Sequence, residues 1–234
     1  MWDNHQALDL LASSLFAVTG LIVFYAINEW TVNSPVFPLK EVSVSAINDS
    51  KGELRHVTRD QIDGAVRSKV RGNFFTVDVD ATRAAFRNLP WVRDASVRRV
   101  WPQTLEVMLE EHIALARWGS TALVNTHGEL FNAVSDEELP VFEGPADSSR
   151  DVARQYAAFN KSLLPLQQSI EQINLSPRRA WRVHLDNGII LELGREQMQT
   201  RLERYVLAHD SSIAKLNRQL SYVDLRYPNG FAVR

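Results

Sequence analysis

The side chains best suited to hold a metal or move a proton near neutral pH are six histidines, His5, His56, His112, His127, His184 and His209. No two form a His-Glu-x-x-His pair, and none falls at another metal-ligand spacing. Glu110-Glu111-His112 lines up three ligand types. Successive side chains on a strand point to opposite faces, so a solvated strand end is expected there. Asp78 and Asp80 stand two apart, as paired acids might. A helix start explains both, because a carboxylate there accepts free backbone N–H groups. The Gly-x-Ser-x-Gly elbow, the phosphate loop and the Gly-x-Gly-x-x-Gly fingerprint are missing from the sequence. There is no cysteine, which removes disulfides, thiolate zinc sites and a thiol nucleophile. No catalytic residue, metal ligand, cofactor or small-molecule substrate is expected, and the chain is not expected to be an enzyme.

What remains is the chemistry of recognition. Arg178, Arg179 and Arg182, with Arg195, Arg201 and Arg204, form a local excess of guanidinium groups. One reading is a solvated face neutralised by nearby acids. The other is a docking surface for an acidic segment, since Arg pairs bidentately with carboxylates and tolerates desolvation better than Lys. Residues 222–227 read as a strand, and Pro228-Asn229-Gly230 leads into Phe231-Ala232-Val233-Arg234 at or near a sheet edge. An edge exposes unpaired N–H and C=O groups that accept an added strand. Tyr227 and Phe231 would then be apolar anchors beside it, the competing reading being ordinary core packing of both rings.

The elements that must position these residues follow from composition and periodicity. The 234 residues carry 26 Lys+Arg against 28 Asp+Glu, a formal net charge of −2, with 45% hydrophobic and 23% charged residues. Those values exclude a disordered chain and a multi-span membrane protein. A pI near 6.3 argues against a nucleic-acid binder. Residues 10–27 contain no charge, span about 27 Å as a helix, and have Trp2 towards one end and Tyr25 and Trp30 at the other in the manner of interfacial aromatics. A transmembrane anchor over 10–30 is expected, after a short terminus of residues 1–9 and before a linker at 31–38. With no Lys or Arg before the span and Lys40 the first one after it, charge does not set its orientation.

Residues 39–112 read as a first unit. Val42, Val44 and Ala46 alternate as a strand, and Thr58 with Gln61 forms a capping box ahead of a stripe of Ile62, Val66 and Val70. Gly72 stands where a C-terminal cap belongs. A second helix runs from Asp78 or Asp80 to Leu89, before Pro90. Two alternating strands follow around Trp101-Pro102-Gln103, with Arg98 and Arg99 expected to face Glu106 and Glu110. The order is strand, helix, helix, strand, strand. In residues 113–234, short strands are expected at 114–118, 122–125, 129–131 and 139–142, a helix at 149–164, and a hairpin around Asn187-Gly188. A helical stripe of Met198, Leu202, Tyr205 and Val206 comes next.

Asn73-Phe74-Phe75-Thr76-Val77, Leu89-Pro90-Trp91-Val92 and Arg98-Arg99-Val100-Trp101-Pro102 together resemble the POTRA domain of the FtsQ/DivIB family of bacterial cell-division proteins. Gly128-Glu129-Leu130-Phe131, residues 175–181, Leu193-Gly194-Arg195 and residues 222–227 resemble that family's β-domain. The resemblance implies an α+β chain with a single N-terminal transmembrane helix, a β-α-α-β-β POTRA domain over 39–112, and a mixed β-domain with helices on the sheet over 113–234. It also implies a division scaffold of the inner membrane, single-pass, with its bulk in the periplasm, concentrated at the septum, that binds FtsB and FtsL and links them to septal peptidoglycan synthesis. The partner-binding set carried over is Arg178, Arg179, Tyr222, Tyr227, Asn229, Gly230 and Phe231. A POTRA-bearing transport component that binds extended polypeptides is the rival expectation.

Overall fold

The computed structural model describes residues 5–33, 37–47, 52–209, 220–228 and 230–234. Helix α1 (His5–Asn33) contains the apolar run Leu8–Trp30. At 1.5 Å per residue that run is about 34 Å long, enough for a hydrocarbon core of about 30 Å. The chain divides into two compact units, up to Glu111 and from His112 onward.

The first unit holds β1 (Glu41–Ala46), α2 (Arg59–Lys69), α3 (Val79–Arg87), β2 (Val92–Val100) and β3 (Thr104–Glu111). The sheet order is β1-β3-β2, with β1 parallel and β2 antiparallel to β3. Leu105, Val107 and Leu109 of β3 are fully buried, as a period of two requires for a sheet covered on one face. Thr58 accepts from the Gln61 N–H while Gln61 reaches back to the Thr58 N–H, completing the capping box. Asp78, rather than Asp80, caps α3, accepting the Ala81 N–H at 2.9 Å.

Three local expectations are corrected. Arg98 does pair with Glu106, but Arg99 lies on the opposite face of the strand and donates to the Val77 carbonyl at 2.7 Å. Glu110 takes Arg93 instead, at 2.8 Å. Gly72 is not the cap of α2, whose C-cap is Val70. At φ +100° it opens the next loop, where a Cβ would lie 2.5 Å from Thr76 Oγ1. That loop closes on Asn73, whose Oδ1 accepts the N–H groups of Phe75 and Thr76 at 2.9 and 3.0 Å. Nor is Glu110-Glu111-His112 a solvated strand end. The Glu111 carboxylate accepts three backbone N–H groups, from Arg55, His56 and Val57, at 2.8–2.9 Å. His112 is buried, its ring stacked 4.1 Å from Phe131 and its Nδ1 2.9 Å from Asn125 Nδ2.

The second unit holds β4 (Ala114–Trp118), β5 (Ala122–Asn125), β6 (Leu130–Phe131), β7 (Val141–Glu143), α4 (Ser149–Leu163), β8 (Ile170–Leu175), β9 (Trp181–Leu185), β10 (Ile190–Gly194), α5 (Met198–Ala208), β11 (Tyr222–Asp224) and β12 (Ala232–Val233). These strands form one sheet in the order β12-β11-β10-β9-β8-β7-β4-β5-β6. α4 packs on β8, α5 on β10, and the two helices on each other. Phe159, Leu163, Leu202 and Tyr205 thereby join Phe142, Ile173, Val183, Leu191 and Val223 in one core. In the Asn187-Gly188 hairpin only Gly188 takes a positive φ, at +82°, while Asn187 Oδ1 accepts the Ile189 N–H at 3.0 Å.

Replacing Glu111 with Ala leaves three backbone donors short of their acceptor. A hydrogen bond to a charged group is worth about 1.5–3 kcal/mol, so amide exchange at residues 55–57 should accelerate at least tenfold. Unchanged exchange there would show that the carboxylate does not hold this segment.

Candidate partner-binding site

Because β11 runs parallel to β10, with Ile190 opposite Tyr222 and Glu192 opposite Asp224, the chain leaves β11 at the sheet end where β10 finishes and β9 begins. β11 is shorter than the strand expected over 222–227. The reason is local: Asp224 Oδ1 accepts the Arg226 N–H at 3.0 Å, and the Arg226 guanidinium folds back onto the same carboxylate at 2.6–3.1 Å. That closed loop turns the backbone out of the ladder. Tyr227 follows, 55% exposed, while its carbonyl accepts from Arg204 Nη1 of α5 at 2.9 Å. Its backbone is thus fixed and its ring is presented.

β12 is the outermost strand on this side of the sheet. Tyr222 and Arg234 exchange backbone hydrogen bonds at 3.2 and 2.9 Å. Alternation along an antiparallel pair then turns the N–H and C=O of Val233 outward, to the side where no strand lies among the described residues. Of the sequence-derived site residues, Tyr222 is half-buried in β11, Gly230 and Phe231 are half-buried before β12, and Phe231 leans on the core. Asn229 lies outside the described residues.

Arg178 and Arg179 occupy the turn between β8 and β9. That turn is at the same sheet end as the exit of β11, two strands from it, or about 10 Å at the usual spacing. Arg179 adopts φ 61° and pairs with Asp147 at 3.0 Å. Arg201 donates to the Leu193 carbonyl and Arg204 to that of Tyr227, while Arg182 pairs with Glu192 at 2.9 Å. Most of the arginine excess is therefore engaged within the unit. Arg178 is exposed and has no ion pair among the described residues.

The face of the sheet opposite the helices carries a polar row in register. Glu143, Asn174, Arg182, Glu192 and Asp224 stand side by side on β7 to β11. Asn174 donates to Glu143 at 2.8 Å, Arg182 to Glu192, and Arg226 to Asp224. The hydrogen bonds from Arg226 hold the Asp224 carboxyl below the usual carboxylate range, and Asp224 in turn raises Arg226. Burial, then Glu192 and Asp224, pushes the Tyr222 phenol up. Sequence reasoning missed the Asp224–Arg226 pair. Its signal was opposite charges two residues apart, on one face of a strand. Among the described residues no three His, Asp or Glu side chains gather as metal ligands would.

The class that fold and site define is an α+β chain with an N-terminal apolar helix, a small β-α-α-β-β unit and a one-sided sheet ending in a two-residue edge strand. Family models place the description "POTRA domain, FtsQ-type" on residues 37–112 and "Cell division protein FtsQ/DivIB, C-terminal" on residues 116–226. The chain is 57% identical over 234 residues to the cell division protein FtsQ of Nitrosospira multiformis, covering 100% of this chain and 99% of that one. It is 42% identical to FtsQ of Burkholderia pseudomallei and 35% identical to FtsQ of Neisseria gonorrhoeae, covering 100% of this chain and 94% and 95% of theirs. The chain belongs to the FtsQ family of cell division proteins.

The Asp224–Arg226 pair makes a pH prediction. A carboxyl lowered on folding stabilises the native state above its unfolded value, about 3.9, and that contribution is lost as pH falls through the lower folded value. The Tm difference between the native protein and Asp224→Asn should be constant near neutrality and shrink below about pH 4. A difference that is flat down to pH 2.5 would show the pair is not formed.

Proposed function

We propose that this protein is a non-enzymatic division scaffold that recognises FtsB, and through it FtsL, by strand addition to β12. The observation that carries the reading is the pairing of an open edge at Val233 with the exposed ring of Tyr227 and the unengaged guanidinium of Arg178 at the same end of one sheet. An extended partner segment lying along β12 would take the outward N–H and C=O of Val233 into its ladder. Its side chains would meet Tyr227, Gly230 and Phe231, with Asn229 in the same stretch. Acids on the partner would reach Arg178, whereas Arg179 already holds Asp147. Tyr222 and the polar row fix β11, and with it the position of β12.

The setting of this activity is the inner membrane. α1 would anchor the chain in a single pass, with residues 1–9 in the cytoplasm and both folded units in the periplasm at the septum. There the POTRA unit would contact other division proteins and tie FtsB and FtsL to septal peptidoglycan synthesis.

The test is titration of the full chain in detergent with the periplasmic segment of FtsB. Tyr227→Ala should weaken binding about thirtyfold, the effect of a ~2 kcal/mol hot spot. Val233→Pro removes the outward N–H while sparing the bonds of Arg234, and should weaken binding about two- to twelvefold, the worth of one such bond. Binding indifferent to both changes would exclude strand addition at β12. Equal binding to many unrelated extended peptides would favour a transport component.

A further inference from the structure

We infer that the exposed aromatic end of the first unit rests on the phospholipid surface of the bilayer that holds α1. Phe37, Phe74, Phe75 and Trp101 form a continuous cluster. Phe37 lies 5.2 Å from Phe75 and 6.1 Å from Trp101, and Phe74 lies 5.3 Å from Phe75 and 5.8 Å from Trp101, between ring centroids. Phe74 is buried and roots the cluster in the core, but Trp101 is 65% exposed, Phe75 40% and Val100 37%. A core does not require an indole left this bare, and the tip of the β2–β3 hairpin is where it is displayed.

Chain length says what covers it. α1 ends at Asn33, and four residue steps of fully extended chain reach at most about 14 Å. Phe37, itself part of the cluster, is therefore tethered within that distance of the helix end. Trp30 closes the apolar run of α1, and a tryptophan at that position marks the headgroup level. The aromatic end of the unit is thus confined to the layer just outside the hydrocarbon, where amphipathic rings are favoured. The flanks suit an anionic surface: Lys40 is exposed and its N–H donates to the Gln103 carbonyl at 3.0 Å beside the hairpin tip, and exposed Arg71 leads into the Asn73 loop, which bridges to Pro38. Neither side chain has an ion pair among the described residues. Resting the unit on the membrane would hold its sheet at a fixed height above the anchor.

The inference rests on α1 spanning a bilayer, and flotation of the full chain with vesicles tests that span separately. Because the sequence has no cysteine, single labels are simple to place. Val100→Cys carries a nitroxide next to Trp101, and Ser96→Cys carries one on the same strand face about 13 Å away. In vesicles of phosphatidylethanolamine and phosphatidylglycerol, the label at 100 should be relaxed more by oxygen than by a water-soluble nickel complex, and the label at 96 the reverse. Adding Phe75→Ser and Trp101→Ser should move the label at 100 to the aqueous pattern. Floating protein whose two labels are equally nickel-accessible would overturn the inference and leave the anchor standing. Failure to float would overturn both. Oxygen preference present in crowded vesicles but lost at one copy per nanodisc would assign the patch to a second copy instead.

Discussion

In the second unit everything depends on a sheet covered on one face. α4 and α5 lie over β8 to β10, so alternate residues of each strand enter a dry core: Ile173 and Leu175, Val183 and Leu185, Leu191 and Leu193, Val223 and Leu225. A slip of one residue would expose every one of them, which fixes the register across four strands. The same register then lines up the residues between them. Glu192 and Asp224 are nearly buried at 7% and 6% exposure, yet they sit beside each other with like charge. Arg182 on one side and Arg226 on the other neutralise them. The core thus dictates the polar row, and the row dictates where β11 ends, because the arginine that neutralises Asp224 is the one that bends the chain away.

The first unit is organised by a different device. The segments between its helices and strands are held by side chains that replace missing backbone partners. Asn73 closes the loop after α2, Asp78 caps α3, and Glu111 gathers the three N–H groups ahead of α2. Each is an acceptor placed where helix or loop geometry leaves donors unpaired. Asn125 does the same in the second unit, its Oδ1 accepting the N–H groups of His127 and Glu129.

Periodicity made much of this legible. The capping box at Thr58, the alternation of Leu105, Val107 and Leu109, the short strands β4 to β7 and the helix at Ser149 are all visible in the residues themselves. The central strand β8 was not. Its register shifts between Ile170 and Gln172, which breaks the period of two and hides the run. Glu111 and His112 were misread for a related reason. Strand geometry says only that neighbours diverge, not that one carboxylate meets a segment more than fifty residues earlier. The candidate site was legible in part: the C-terminal edge follows from the pattern, but which arginines are free does not. That depends on acids such as Asp147 and Glu192 arriving from other elements.

The dimensions of β12 decide how the proposed recognition at this edge would work. An added strand would gain only the outward N–H and C=O of Val233 within the paired stretch, and each hydrogen bond contributes about 0.5–1.5 kcal/mol net. Two of them fall short of the roughly 4–15 kcal/mol that association costs in lost freedom. Backbone pairing at this edge would therefore set the direction and register of a partner without holding it. Affinity would have to come from side chains presented beside the ladder, and those whose backbone is already fixed would contribute without a further backbone ordering cost. Tyr227 meets that condition because Arg204 clamps its carbonyl. Arg178 meets it in part, on a turn closed by the bond from the Arg179 N–H to the Ser176 carbonyl. A short edge flanked by two such groups would select its partner by sequence, whereas a long bare edge would accept almost any strand.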